Sequence, residues 1–144
     1  DEIIGNMGVA YNNNFIWGLN TNMSFSTLES SVKNVNSSAS LSVTNSAGIT
    51  KNGGTIATGD NIALSINSDT KTYTAVIYGD VSGDGSITVL DLLKIQKHIL
   101  GSSSFASSSS YYTAADVSKD GNITVLDLLK VQKHILGSSE IAQS

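Results

Sequence analysis

Two stretches of the chain carry oxygen-bearing side chains at a spacing suited to metal chemistry. Asp80, Ser82, Asp84, Ser86, Thr88 and Asp91 fall at positions 1, 3, 5, 7, 9 and 12 of one loop. Asp116, Ser118, Asp120, Asn122, Thr124 and Asp127 fall at the same positions of a second. A hard divalent cation takes about six to eight oxygens in a small volume, and alternate residues of a turning backbone can supply them. Position 6 is glycine in both, Gly85 and Gly121, where the backbone must turn sharply. Position 7 would donate its backbone carbonyl, so Ser86 and Asn122 serve alike. Position 9 often acts through a water, which Thr88 and Thr124 can hold. The expected chemistry is one hard divalent cation in each loop.

This is the spacing of an EF-hand calcium loop, with departures. Position 12 is Asp91 or Asp127, not Glu, and position 3 is Ser82 or Ser118, a weaker neutral ligand than the usual Asp or Asn. No amphipathic helix precedes either loop. Upstream of Asp80 lies TYTAVIY, which alternates like a strand, and upstream of Asp116 lies a serine run. Each unit reads as a loop followed by one helix. A calcium sensor or buffer needs helices on both sides of its loops and is the weaker reading. A DxxxDG turn that binds nothing is the bland alternative, and two matched loops argue against it.

The loops open a duplication. Residues 79–101 and 115–137 align over 23 positions at an offset of 36. They differ only at Gly79/Ala115, Gly83/Lys119, Ser86/Asn122 and Ile95/Val131, so 19 are identical. The first helix is expected from about Thr88 to Leu100, with Gly101 as its C′ cap. Leu92, Ile95 and Ile99 share one face, Val89, Leu93 and Leu100 another, and Leu90 stands beside Lys94 and Lys97. The second helix repeats this with Leu128, Val131 and Ile135, with Val125, Leu129 and Leu136, and with Leu126 near Lys130 and Lys133. Burying one such side chain contributes roughly 1.5–3 kcal/mol, yet so small a unit cannot bury them all. A surplus apolar face in both copies predicts a partner surface. Packing of that face on the N-terminal half is the competing reading, and it suits one helix better than two. Ile87 and Ile123, at position 8, are expected to meet in a short β contact. His98 and His134 lie in the last helical turns, where they suit the helix dipole, and two histidines are too few for a zinc site.

Paired loop–helix units with Asp at position 12 and an LLKIQKHILG-type helix resemble a type I dockerin, over roughly Gly79 to Gly137. Dockerins are the calcium-binding plugs of cellulosome-like assemblies, and they bind cohesin modules. The resemblance implies two Ca²⁺ ions and, as partner, a cohesin of a scaffoldin or cell-surface protein. It also implies a secreted protein in an extracellular, bacterial surface-associated complex for polysaccharide degradation. Recognition residues carried over from the family are Val89, Leu90, Gln96 and Lys97 in one copy and Val125, Leu126, Gln132 and Lys133 in the other. The exposed-face leucines Leu93 and Leu129 join them. Val-Leu at positions 10 and 11 implies a greasier cohesin surface than Ser-Thr would. Identical sets imply two binding modes, related by a half-turn.

The 144 residues allow one ordinary domain or two small ones. There is no cysteine and no proline. The formal charge is −4, and six of the twelve acids are the loop aspartates. Two Ca²⁺ would bring the formal sum to zero. Eight scattered lysines form no basic stripe, so nucleic acid is not an expected partner. No run of about 18 apolar residues occurs, so no membrane span is expected. DEIIGNMG has neither a basic n-region nor an apolar core, and the chain reads as part of a larger precursor.

Residues 1–78 carry short β signals. FIWGL at 15–19 reads as a buried strand, and its neighbours Tyr11, Phe15 and Trp17 as core aromatics, not a sugar-stacking platform. Ser24 or Ser26 could cap a short helix bearing Phe25, Leu28, Val32 and Val35. Strands are expected at Ser40–Thr44, around a hairpin at Asn52-Gly53-Gly54, at 61–67 and at 72–78. The segment resembles the X module that precedes many dockerins. The expected fold class is α+β, a small β-rich, Ig-like N-terminal module packed on an all-α dockerin with two calcium loop–helix repeats. The expected domains are 1–78 and 79–144, joined without a flexible linker. The expected function is calcium-dependent docking onto a cohesin, with a carbohydrate-binding or structural cap module as the alternative. No Ser/His/Asp, Cys/His or paired-acid constellation remains outside the loops, so no enzyme is expected.

Overall fold

The computed structural model describes residues 9–12, 14–19 and 23–143. Its central hairpin follows from simple alternation. β5 (Asn61–Ile66) and β6 (Asp69–Ala75) pair antiparallel, turning at Asn67 with φ 57°. Asn tolerates that left-handed conformation better than most residues. On the far side of β5 lies β3 (Ser40–Thr44), in register from Ser40 opposite Ser65 to Thr44 opposite Asn61. β4 (Thr50–Lys51) returns along β3 around the Asn45 turn. There the Asn45 side chain accepts the N–H of Ala47 and of Ile49. β1 (Ala10–Tyr11) and β2 (Phe15–Trp17) complete the other edge, with β2 parallel to β6. The sheet order is β1-β2-β6-β5-β3-β4.

One helix covers this sheet. α1 (Phe25–Val35) starts at Ser24, whose hydroxyl accepts the Thr27 N–H at 3.2 Å. Leu28 and Val32, one turn apart, pack into a core with Ile16, Val43, Ile62, Leu64 and Tyr73.

The expected β-rich, Ig-like module is met in part, as a small sheet whose layering differs from a sandwich. Among the described residues there is one mixed sheet with a parallel β2–β6 pair, not two stacked antiparallel sheets. Alternation marks strands without saying what covers them, and the apolar stripe of α1 supplies the second layer. The Asn52-Gly53-Gly54 hairpin is corrected. After β4 the chain leaves the sheet and passes the start of α1, where Thr55 forms an isolated antiparallel bridge with Ser24. Lys51 closes this excursion, its Nζ donating to the Thr55 carbonyl at 2.6 Å and pairing with Asp60 at 2.7 Å.

The C-terminal half contains α2 (Val89–Leu100), α3 (Ser110–Ala115) and α4 (Val125–Ile135). Its core joins Ile95, Val131, Ala114 and Ala115 to Val76, Tyr78, Val81 and Val117. Phe15 and Trp17 of β2 pack against the same cluster. The expectation of an all-α C-terminal unit is corrected by this. Its core is completed by strand residues of the sheet, so the two halves do not have independent interiors. The chain passes between them at residues 75–78. Ala75 and Ile77 enter the first core, while Val76 and Tyr78 enter the second, as side chains of an extended segment point alternately to opposite sides.

Candidate metal centres and helix surface

Each loop is organised by the carboxylate at its first position. Asp80 Oδ1 accepts the N–H of Gly83 at 3.1 Å and of Asp84 at 3.2 Å. Its Oδ2 accepts the N–H of Gly85 at 2.9 Å and of Thr58 at 3.0 Å. In the second loop Asp116 accepts the N–H of Asp120 at 3.3 Å and of Gly121 at 2.8 Å. The position 12 carboxylates close the loops and start the helices. Asp91 accepts Ser82 N–H at 2.8 Å and Thr88 N–H at 2.7 Å. Asp127 accepts Ser118 N–H at 2.9 Å and Thr124 N–H at 2.8 Å. Asp91 and Asp127 are thus the third residues of their helices bonding back to the N-cap, as in a capping box. Position 5 turns the loop outward, with Asp84 accepting Ser86 N–H and Asp120 accepting Asn122 N–H.

The three acids of each loop converge. Ligand oxygens of Asp80, Asp84 and Asp91 lie within 4.8 Å of one another, as do those of Asp116, Asp120 and Asp127. Asp80, Asp91 and Asp127 are fully buried, and Asp116 nearly so. Burial pushes the Asp80 carboxyl up to about 6, the charge of Asp91 adding to the effect against backbone N–H bonds from Thr58, Gly85 and Asp84. Burial likewise raises Asp116, against N–H bonds from Gly121 and Asp120. Asp120, in the open, is lowered by the Asn122 N–H. Asp80 and Asp91 accept from backbone N–H groups and the Ser82 hydroxyl. Buried like charges held without a cationic side chain are costly unless a cation joins them. An all-oxygen donor set fits a hard divalent ion.

The other loop residues support these carboxylates and start the helices. Ser82 and Ser118 hydroxyls donate to Asp80 and Asp116 at 3.5 and 3.3 Å. Thr88 and Thr124 are the N-caps of α2 and α4. Ile87 and Ile123 both pack on the second core, but no β bridge joins them among the described residues.

The helix surface divides as its apolar surplus requires. Ile95 and Val131 are fully buried. Val89 and Val125 are each 64% exposed, and Leu90, Leu93, Leu126 and Leu129 are exposed alongside them. Gln96, Lys97, Gln132 and Lys133 are exposed on the same helices. The two faces match residue for residue.

Three contacts were not legible beforehand. Thr58 reaches Asp80 from 22 positions away. Gln143 binds the backbone of Tyr78. Lys119 lies over the Tyr78 ring, 4.6 Å from its centroid. The one available signal was the Gly83/Lys119 difference between the copies.

Loop and helix together define a duplicated loop–helix unit with converging carboxylates and an uncovered apolar face. Residues 78–136 match the family model of the dockerin type I domain, less than half of the chain. Domains of that family are calcium-binding interaction modules that dock onto cohesins in cellulosome-like complexes, and they are not catalytic. The chain matches no curated protein and no solved structure. No described helix is long and apolar enough to cross a membrane.

Proposed function

We propose that residues 79–144 form a calcium-dependent plug that docks its bearer onto a cohesin, packed on the module of residues 1–78. Asp80, Ser82, Asp84, Ser86, Thr88 and Asp91 would hold one Ca²⁺, and Asp116, Ser118, Asp120, Asn122, Thr124 and Asp127 a second. The bound ions supply the positive charge that lets the buried aspartates stay ionised. Asp91 and Asp127 tie each loop to its helix, so ordering a loop also fixes the start of α2 or α4. The helices then present Val89, Leu90, Leu93, Gln96 and Lys97, or Val125, Leu126, Leu129, Gln132 and Lys133, to the partner. The equal exposure of Val89 and Val125 is the observation that carries this reading, because one packed interface inside the chain could not leave both faces open alike. It also favours two docking modes.

The partner belongs to an extracellular assembly in this reading, where free calcium is plentiful. The test is capture of a cohesin-bearing protein by the chain in calcium and in chelator. A variant with Val89, Leu90, Val125 and Leu126 each changed to Asp runs alongside. Capture in calcium alone, lost in the variant, is the expected result. A folded, calcium-loaded chain that captures no cohesin overturns the proposal.

A further inference from the structure

The two loops are nearly identical in sequence, yet their surroundings are not. The first is gripped by the N-terminal half, along residues 55–60. Thr58 donates its backbone N–H to Asp80 Oδ2 at 3.0 Å. Its hydroxyl is fixed in turn, accepting Ile77 N–H at 3.0 Å and donating to Ile77 O at 3.2 Å. The segment is tied to the sheet by Gly59 N–H to Ala75 O at 3.0 Å and Ala75 N–H to Asp60 O at 2.8 Å. Asp60 accepts Ala57 N–H at 2.9 Å and pairs with Lys51 at 2.7 Å. A continuous set of bonds therefore runs from the sheet to the first carboxylate of the first loop.

The packing says the same. A Cβ on Gly85 would lie 2.6 Å from Thr55 Cγ2 and 3.1 Å from Ile56 O. One on Gly83 would lie 3.0 Å from Thr58 O. At Gly121, the counterpart of Gly85, a Cβ would meet nothing within 4 Å. The counterpart of Gly83 is Lys119, a long side chain where the first copy has none. Asp116 accepts from the Ser118 hydroxyl and from the N–H groups of Asp120 and Gly121, all of its own loop.

We propose that residues 55–60 are a working part of the first loop, with Thr58 a positioning residue for Asp80. Filling of the first loop and order in the N-terminal sheet are then thermodynamically coupled, while the second loop is coupled to the sheet more weakly, through the Lys119–Tyr78 contact and shared packing. This rests on the calcium reading above. A group that orients a metal ligand commonly changes affinity by about 10–100-fold when lost. Coupling is reciprocal, so whatever the sheet does for the first loop, the filled loop does for the sheet.

The test uses the whole chain and calcium alone, read by nitrogen-edited NMR. The amides of Gly85 and Gly121 report on their own loops, because each donates to the position 1 carboxylate. Calcium is expected to shift both amides. Thr58→Val keeps the backbone N–H but removes the hydroxyl that holds it. It is expected to weaken the first loop by about tenfold and leave the second within about twofold.

Amide exchange in β3 and β5 supplies a measurement that does not depend on that variant folding well. Calcium should slow it in the wild type and in Asp120→Ala, but not in Asp84→Ala. If both loops fill and sheet exchange is unchanged, or changes alike in the two aspartate variants, the coupling is overturned. If neither glycine amide moves with calcium, the calcium reading falls, and this inference with it.

Discussion

The side chain of Gln143 closes on the backbone of Tyr78. Its Oε1 accepts the Tyr78 N–H at 2.7 Å, and its Nε2 donates to the Tyr78 carbonyl at 2.9 Å. The carboxamide stands in for a strand neighbour, pairing Tyr78, three residues beyond β6, with the C-terminal tail. Nearby, Ile141 is held by its N–H to His134 Nδ1 at 3.0 Å and packs on the second core.

Replacing Gln143 with Ala removes both bonds and leaves a nearly buried Tyr78 to find water. Each bond contributes about 0.5–1.5 kcal/mol net, offset in part by the freedom the tail regains. A loss of about 1–2 kcal/mol is expected in urea unfolding at saturating calcium. An unchanged midpoint would show that the pairing contributes nothing in solution.

Ile95 and Val131 occupy equivalent places in the two helices and share one buried cluster. Ile95→Val should cost about 1 kcal/mol, and Val131→Ile about 1–3 kcal/mol through overpacking. The double exchange conserves total volume. It should cost less than the sum of the two, and strict additivity in a double-mutant cycle would mean that the sites do not share their space.

The raised Asp80 carboxyl sets opposite pH trends with and without metal. In chelator, a folded value of about 6 against an ordinary 3.8 means that protonation favours the fold. This contribution is fully present below about pH 4 and is lost as pH rises through 6. Calcium requires the carboxylate, so its affinity should fall as pH drops from 7 towards 5, with more proton released on binding at the lower pH. Titration calorimetry in two buffers of different ionisation heat reads the proton count. Equal affinities at pH 7 and 5 would contradict the assignment.

The proposed pair of docking faces predicts a characteristic pattern of loss. Leu90→Asp or Leu126→Asp alone removes one of two equal modes, lowering cohesin affinity only about twofold. The double variant should abolish docking. Both side chains are exposed, so each single change should alter stability by less than about 0.5 kcal/mol. A large loss from either single variant would mean that one face alone is used.

Much of this was legible because it was local. The loop spacing fixed where Asp80, Asp84 and Asp91 would converge, since a turning backbone brings alternate side chains together. The helical period separated Ile95 and Val131 from Leu93 and Leu129. Ser40–Thr44 alternates, and it is a strand. What was not legible was long-range. The alternation of TYTAVIY turns Val76 and Ile77 to opposite sides, but nothing in it says that a separate core will cover each side, or that β2 will lie parallel to β6. The Asn52-Gly53-Gly54 signal is a sound local rule overridden by tertiary structure, with Lys51 tying the chain back through Thr55 and Asp60. Thr58 carries no motif, because it acts through its backbone N–H, which every residue but proline possesses.

The alternation at residues 75–78 also governs how the molecule carries load. Tension applied to α2 and α4 enters the sheet through Val76 and Tyr78, just past the end of a strand flanked by β5 and β2. No swivel lies between these helices and the sheet among the described residues. Bending the chain there would draw Ile77 out of one interior or its two neighbours out of the other. A force directed along β6 therefore has to shear strand against strand, breaking many hydrogen bonds together, before the two halves can separate.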